Sequence, residues 1–195
     1  MKKFIGDISN ADAALLERYA RRSRAILEFG VGGSTQVIAQ SLRKGARFIS
    51  IDTSAEWIQT TRTRLAKLGV ADRCSFIPYA TWATTKGRFD FIFVDGAFKD
   101  RRTFALAAWP RLVVGGHMLF HDTRRAKDIE NVLALITARF EEIGAVHFNK
   151  PAQRRTSNIT VIQKKQRETR ENWRRVEGKP EWAYGIGSVP ESFWG

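Results

Sequence analysis

A glycine-rich turn between a β-like run and a helical run has the composition of a nucleotide-binding site. The segment from Ile26 to Ala39 reads ILEFGVGGSTQVIA. Its glycines at Gly30, Gly32 and Gly33 let the backbone turn sharply and approach a ligand, because they carry no Cβ atom. Ser34 follows at the start of the next predicted helix, where free N–H groups suit a polar ligand. The sequence therefore predicts a cofactor-binding turn here.

Two carboxylates flank this turn in positions typical of nucleoside recognition. Glu28 stands at the end of the preceding strand, where it offers a negative charge to a cationic group and would repel a pyrophosphate. Asp52 ends the next predicted strand, about 20 residues past the glycines, where an acidic residue accepts hydrogen bonds from ribose hydroxyls. The pattern favours a cationic nucleoside over a dinucleotide.

Further candidate residues follow the fourth and fifth predicted strands. Asp95 comes directly after the apolar run Phe89–Val94, and His121 and Asp122 follow the run that begins at His117. Histidine ordinarily titrates near neutral pH, so His121 is a candidate general base toward an acceptor hydroxyl. Asp95 and Asp122 are also candidate ligands of a hard divalent ion such as Mg²⁺.

These motifs resemble those of the class I S-adenosylmethionine-dependent methyltransferases. Glu28, Gly30 and Gly32 match that family's E/D-x-G-x-G-x-G turn, and Ser34 stands in place of the last glycine. The resemblance implies that S-adenosylmethionine is the cofactor.

The resemblance extends over most of the chain, from about Leu27 to Gln163. Residues 88–96 look like the family's fourth strand, and residues 112–122 look like its Gly-Gly turn and fifth strand. The Val-Asp-Gly and His-Asp sequences in these segments are similar to those of small O-methyltransferase-like proteins. Methyl transfer to an oxygen atom is the reaction that this branch implies.

The resemblance also implies roles for individual residues. The residues expected to bind the cofactor lie around the ends of the first four strands: Glu28, Gly30, Gly32, Gly33, Ser34, Asp52, Thr53, Tyr79, Ala80 and Asp95. Asp95, His121 and Asp122 are expected to face the acceptor.

Two departures from the family pattern qualify these roles. The third strand ends in Tyr79-Ala80-Thr81-Trp82 without the usual carboxylate, so stacking or backbone contacts are expected at adenine. In the metal-dependent O-methyltransferases an Asp-Asn pair follows the fifth strand, whereas Thr123 follows Asp122 here. Mg²⁺ is therefore not favoured, and no metal ligand is predicted.

The elements that position these residues alternate between strand and helix, which predicts an α/β, Rossmann-like, doubly wound domain. Its mostly parallel sheet of seven strands is expected to carry helices on both faces. The predicted strands are 25–29, 47–51, 74–79, 89–94, 117–121, 146–149 and 159–163. The predicted helices are 11–24, 34–42, 54–68, 102–112 and 126–143.

The sequence predicts one catalytic domain and a tail. The domain spans 1–163 and includes an N-terminal helix capped by Asn10, while the tail, 164–195, is basic and rich in tryptophan. Its aromatic residues are candidates for packing on the domain or for joining a homodimer. The single cysteine, Cys74, excludes an internal disulfide, and no apolar run is long enough to cross a membrane. A cytoplasmic protein is expected.

The charge is unusual, because 33 Lys and Arg residues face 20 Asp and Glu residues, a formal net charge of +13. The basic segments 99–102, 124–127 and 150–155 follow the fourth, fifth and sixth strands, which favours a small, anionic acceptor. An RNA- or N-directed methyltransferase is an alternative, although the Pro-Pro motif of many amino-group methylators is absent after Val94. A non-catalytic cofactor-binding protein with the same fold is the other alternative.

Overall fold

Seven strands form one sheet in the computed structural model, which describes residues 4–148 and 157–165. The strands are β1 (Ala25–Phe29), β2 (Arg47–Asp52), β3 (Ser75–Pro78), β4 (Phe89–Val94), β5 (Leu112–His121), β6 (Ile143–His147) and β7 (Ile159–Lys164). Their order is β3-β2-β1-β4-β5-β7-β6, and β7 is antiparallel to both of its neighbours. The predicted α/β, mostly parallel sheet is confirmed.

Five α-helices cover the two faces of this sheet. They are α1 (Asn10–Ala20), α2 (Gly33–Ser41), α3 (Ala55–Lys67), α4 (Phe98–Ala108) and α5 (Ala126–Ala138). Helices α1, α2 and α3 contribute to one apolar core, and α4 and α5 contribute to the core on the opposite face. Helices on both faces make the domain doubly wound, as predicted.

The two central strands, β1 and β4, have the bounds that the sequence predicts. Every residue of β4 except Asp90 is buried, because a parallel strand is covered by helices on both sides. Asp90, the exception, is half-buried, and its carboxylate accepts hydrogen bonds from the backbone N–H groups of Arg24 and Ala25, at the start of β1. These bonds hold the two strands in register at their amino ends.

The helix boundaries differ from prediction where tertiary contacts intervene. The cap of α1 is Ser9 rather than Asn10, because the Ser9 hydroxyl accepts from the Asp12 N–H group in a capping box. Helix α5 ends at Ala138 instead of Ile143. Glu142 follows in a short 3₁₀ turn, where its carboxylate accepts from the indole of Trp109 at 2.9 Å.

Two predictions around the fifth strand also need correction. Helix α4 begins at Phe98 rather than Arg102, although it ends before Pro110 as expected. Gly115 and Gly116 do not precede the strand but lie inside β5, in a bulge where the pairing with β4 shifts register. Gly115 has a φ of +76°, a conformation that glycine adopts without strain.

The predicted tail lies outside the described residues from position 166 onward. Among the described residues, no helix has the length and apolar character that a membrane crossing requires.

Candidate active site

A cavity of about 430 Å³ opens at the carboxyl ends of β1, β2, β4 and β5. The sheet order reverses direction at β1, and ligands of open α/β sheets bind at such a switch point. Nine predicted site residues line the cavity: Gly30, Gly32, Gly33, Ser34, Asp52, Thr53, Asp95, His121 and Asp122. The structure thus brings together residues that are up to 92 positions apart in the chain, counting from Gly30 to Asp122.

The floor of this cavity requires glycine at position 30. The backbone N–H of Gly30 donates to the Ile51 carbonyl at 2.8 Å, and the Asp95 N–H donates to the Phe29 carbonyl at 2.8 Å. A Cβ atom at Gly30 would lie 2.3 Å from the backbone nitrogen of Gly96, and the φ of Gly30 is +96°. The turns after β1 and β4 therefore pack backbone against backbone.

Asp52 presents its carboxylate at the junction of two cavities. One oxygen accepts from the Val31 N–H at 2.8 Å, and the other accepts from the Ser54 N–H at 2.8 Å. Each oxygen has a second lone pair, so the carboxylate can still accept from two neighbouring hydroxyls. This arrangement agrees with the ribose-binding role expected of Asp52.

The second cavity lies beyond Asp52, between Tyr79 and Phe104, and has a volume of only about 10 Å³. The two rings meet edge to face with centroids 4.9 Å apart. The cavity is smaller than a purine, so adenine would enter only after one of these rings moves. Ala80, a predicted cofactor contact, is exposed and lies outside both cavities.

Glu28, expected among the cofactor-binding residues, does not line the cavity. Its side chain is fully buried beneath the turn, where one carboxylate oxygen accepts from the hydroxyls of Thr35 and Ser50, each at 2.6 Å. The Thr35 hydroxyl oxygen in turn accepts from the Gly32 N–H at 2.9 Å. Glu28 thus holds the shape of the turn from below.

The environment of Glu28 changes its acidity. Burial raises the pKa of Glu28 to about 7, although the hydroxyls of Ser34, Ser50 and Thr35 act in the opposite direction. An isolated carboxylate that is removed from water favours its neutral form.

Arg101, which the sequence analysis did not select, lies buried among the predicted acceptor-facing residues. Its guanidinium donates to Asp95 at 2.7 Å, to Asp122 at 3.3 Å and to Asp128 at 2.9 Å. It also donates to the carbonyl oxygens of Gly96 and His121. No local sequence signal distinguishes Arg101 from Arg102, because only the fold brings these acceptors together.

His121 lies between carboxylates on both sides of its ring. Nδ1 is 3.3 Å from Asp95 and 3.8 Å from Asp122, and Nε2 is 3.6 Å from Asp12. Burial alone would lower the pKa of His121, but these carboxylates raise it to about 10. These contacts favour the protonated ring at neutral pH and argue against a general-base role for His121, a role that stays a prediction.

Asp95 experiences the complementary effect. Burial alone would raise its pKa, but the contacts with His121 and Arg101 lower it below the ordinary value. Asp95 is consequently a carboxylate at neutral pH and a weak base.

The N-terminal segment forms one wall of the cavity through Gly6, Asp7 and Ile8. A Cβ atom at Gly33 would lie 2.2 Å from the Ile5 carbonyl oxygen, so this segment packs directly on the glycine-rich turn. Asp12 of α1 extends the contact by accepting from the Asn158 N–H at 2.5 Å, ahead of β7. The sequence analysis missed these contacts because they join segments far apart in the chain.

Among the described residues, the charged groups that line the cavity are mainly acidic. Asp7, Asp52, Asp95 and Asp122 contribute carboxylates, and His121 contributes a positive charge. The basic segments predicted at the rim behave differently, since Arg101 is buried and Arg125 pairs with Asp122 and Asp128. Residues 150–155 lie outside the described part of the chain.

Comparisons with known proteins find a matching family model and solved structures of similar fold. Residues 27–123 match a family model described as a methyltransferase domain. No curated protein matches the chain in a comparison of sequences.

Solved structures of similar fold include three with a bound cofactor or its product. An O-methyltransferase from Bacillus cereus in complex with SAH shares 16% identity, with 80% of this chain and 82% of that chain covered and a TM-score of 0.69. The O-methyltransferase TomG from Streptomyces achromogenes, in complex with SAM, shares 17% identity, covering 82% of each chain with a TM-score of 0.69. An SAH-bound methyltransferase from Podospora anserina shares 22% identity, covering 81% of this chain and 80% of that chain with a TM-score of 0.64.

Proposed function

We propose that the chain is a class I S-adenosylmethionine-dependent methyltransferase and that it methylates an oxygen atom of a small acceptor. The cofactor would be S-adenosylmethionine, with its ribose hydroxyls on Asp52 and its adenine near Tyr79. The observation that carries this proposal is the orientation of Asp52 at the junction of the two cavities.

Methyl transfer from a sulfonium is an in-line displacement, in which the carbon–sulfur bond breaks as the carbon–oxygen bond forms. The electron pair stays on sulfur as a neutral thioether, so positioning of donor and acceptor supplies much of the catalysis. Asp95 and Asp122 line the cavity beside the predicted donor position and are the residues we expect to face the acceptor. His121 acts as a positioning residue, since both of its ring nitrogens face carboxylates.

The acidic lining offers no support for the predicted anionic acceptor. Asp7 and Asp52 would repel an anion, whereas they suit a cofactor that carries a sulfonium charge. We therefore propose a small hydroxyl-bearing acceptor, and screening of neutral and charged candidates would determine its charge.

Isothermal titration with S-adenosylmethionine, and with the demethylated product, tests the cofactor assignment. We expect both to bind, and we expect Asp52→Ala to weaken binding by about tenfold to a hundredfold, since hydrogen bonds to a charged group are lost. Asp72→Ala is the matched control, because Asp72 is exposed in the short 3₁₀ helix Ala71–Arg73, outside both cavities.

Thermal unfolding of each variant separates loss of binding from loss of the fold. The absence of heat with a folded wild-type protein would contradict the proposed function. An unchanged affinity in Asp52→Ala would contradict the ribose assignment alone.

The net charge of +13 favours one alternative, an enzyme directed at RNA. Backbone phosphates bound by lysine and arginine release counterions, so RNA binding would weaken steeply as salt is raised. Titration of a tRNA mixture at low and high salt distinguishes this alternative. No binding at low salt excludes it, and salt-dependent binding would replace the small acceptor in our proposal.

A further inference from the structure

The guanidinium of Arg101 lies at the centre of a carboxylate cluster, which we define as Asp95, Asp122 and Asp128. Nη2 donates to Asp95 at 2.7 Å and to Asp122 at 3.3 Å, and Nη1 donates to Asp128 at 2.9 Å. The side chain of Arg101 is only 6% exposed. The carboxylate cluster therefore surrounds a positive charge that is nearly removed from water.

All five N–H groups of Arg101 can be assigned to an acceptor. Nη1 also donates to the His121 carbonyl at 3.1 Å, and Nε donates to the Gly96 carbonyl at 3.2 Å. A guanidinium has five donors in a fixed planar arrangement, so its orientation is set by these contacts. Arg101 joins the ends of β4 and β5 to α5 through this arrangement.

The same place has the spacing of a cation site. Among the described residues, one ligand atom each from Asp95, His121 and Asp122 lies within 4.8 Å of the other two. Some O-methyltransferase-like proteins that this chain resembles use a divalent ion, and carboxylate oxygens are the ligands that Mg²⁺ prefers.

The residues present do not fit such an ion. Arg101 Nη2 already bridges one oxygen of Asp95 and one of Asp122, and His121 Nδ1 faces the second oxygen of Asp95 at 3.3 Å. A divalent ion bound through the two remaining oxygens, Asp95 Oδ2 and Asp122 Oδ1, would have to replace the proton on His121 Nδ1, which lies 3.3 and 3.8 Å from them, and would lie beside the guanidinium. Breaking the buried ion pair between His121 and Asp95 in this way is unfavourable.

We propose that Arg101 is the built-in cation of this site: its guanidinium takes the place of a divalent metal between Asp95 and Asp122 and positions both carboxylates toward the acceptor. The chain then needs no metal for methyl transfer, a consequence that rests on the proposed function. The position of the Arg101 guanidinium between the two carboxylates does not rest on the proposed function, and a measurement of metal binding tests that position directly.

Binding of Mn²⁺, followed by electron paramagnetic resonance, supplies the test. The wild-type protein, treated with EDTA and dialysed, should bind no Mn²⁺ at this site. Arg101→Ala vacates the position between the carboxylates and should bind Mn²⁺ there, with an affinity about tenfold or more above the upper limit that the wild-type measurement sets. The gain should disappear in the double variant Arg101→Ala/Asp122→Asn.

Two further variants serve as controls. Arg101→Lys keeps a positive charge between the carboxylates and should bind no more Mn²⁺ than wild type. Arg139→Ala removes a partly exposed ion pair with Glu142 outside the site and should also behave as wild type. Circular dichroism of every variant verifies that the domain is folded.

The outcomes separate this proposal from the proposed function. Wild-type binding of Mn²⁺ that Asp122→Asn abolishes would overturn the proposal, as would a folded Arg101→Ala variant with no gain. If Arg101→Ala does not fold, wild type and Arg101→Lys decide, because tight Mn²⁺ binding by either contradicts the proposal. An enzyme that fails to bind S-adenosylmethionine still gives an interpretable Mn²⁺ result.

Discussion

Replacement of Glu28 by glutamine should make the stability of the protein less sensitive to pH. Glu28 is fully buried, and its pKa rises from an ordinary 4.5 to about 7 in the folded protein. Glutamine has nearly the same shape, and its amide oxygen can still accept from Thr35 and Ser50. Glu28→Gln therefore removes the ionisation and preserves the contacts beneath the glycine-rich turn.

The sign follows from the direction of the shift in the pKa of Glu28. The unfolded chain loses this proton above about pH 4.5, whereas the folded protein keeps it until about pH 7. The contribution of neutral Glu28 to the stability of the folded wild type is thus fully present below pH 4.5. It decreases as the pH rises and is lost just above pH 7. The difference of about 2.5 between the two pKa values corresponds to about 3 kcal/mol in the free energy of unfolding.

Urea unfolding of wild type and Glu28→Gln between pH 4.5 and pH 8 measures this effect. We expect the free energy of unfolding of the variant, relative to wild type, to increase by about 3 kcal/mol across this range. His121 also destabilises the fold as pH rises from 6.5 through its raised pKa of about 10, but it does so in both proteins and cancels in the difference. A difference that stays constant with pH would refute the reasoning, because Glu28 would then ionise at its ordinary pKa.

Two other predictions concern the same side of the sheet. Gly33→Ala should lower the free energy of unfolding by about 1–3 kcal/mol, because the added methyl would meet the Ile5 carbonyl at 2.2 Å. Gly32→Ala is the control, since a Cβ there would have no atom within 4 Å, and equal losses in the two variants would contradict the packing argument. NMR titration of the His121 ring should give a midpoint near 10, which Asp12→Asn should lower. A midpoint near 6.5 in the wild type would mean that the carboxylates do not hold the proton.

The sequence predicted the central sheet because the signals there are local. The apolar runs of β1 and β4 and the acidic residue after β2 sit at fixed distances from the glycine-rich turn, and each reports one element. Helix α5 shows where this reasoning fails. Its apolar spacing continues to Ile143, yet the helix ends at Ala138, since Glu142 is held by Trp109 and Lys164.

The difference between local signals and long-range contacts also explains which residues of the candidate site could be predicted. Asp52 and Asp95 were predicted from strand ends, and both line the cavity. Glu28 does not line the cavity, because its side chain is buried beneath the turn and accepts from Thr35 and Ser50. The burial of Arg101 had no local signal, because its acceptors come from three separate elements of the fold.

The positive charge of the chain and the negative charge of the cavity belong to different parts of the protein. Four carboxylates, those of Asp12, Asp95, Asp122 and Asp128, contact three cationic groups around the ends of β4 and β5. The three cations are Arg101, Arg125 and protonated His121.

Among the described residues, Asp52 adds a carboxylate without a described ion pair where the ribose would bind. A cofactor with a sulfonium charge complements such a site, and its neutral thioether product does so less. The electrostatics of the cavity thus favour binding of the sulfonium cofactor over binding of its thioether product. This preference is independent of the surface charge that makes the chain basic.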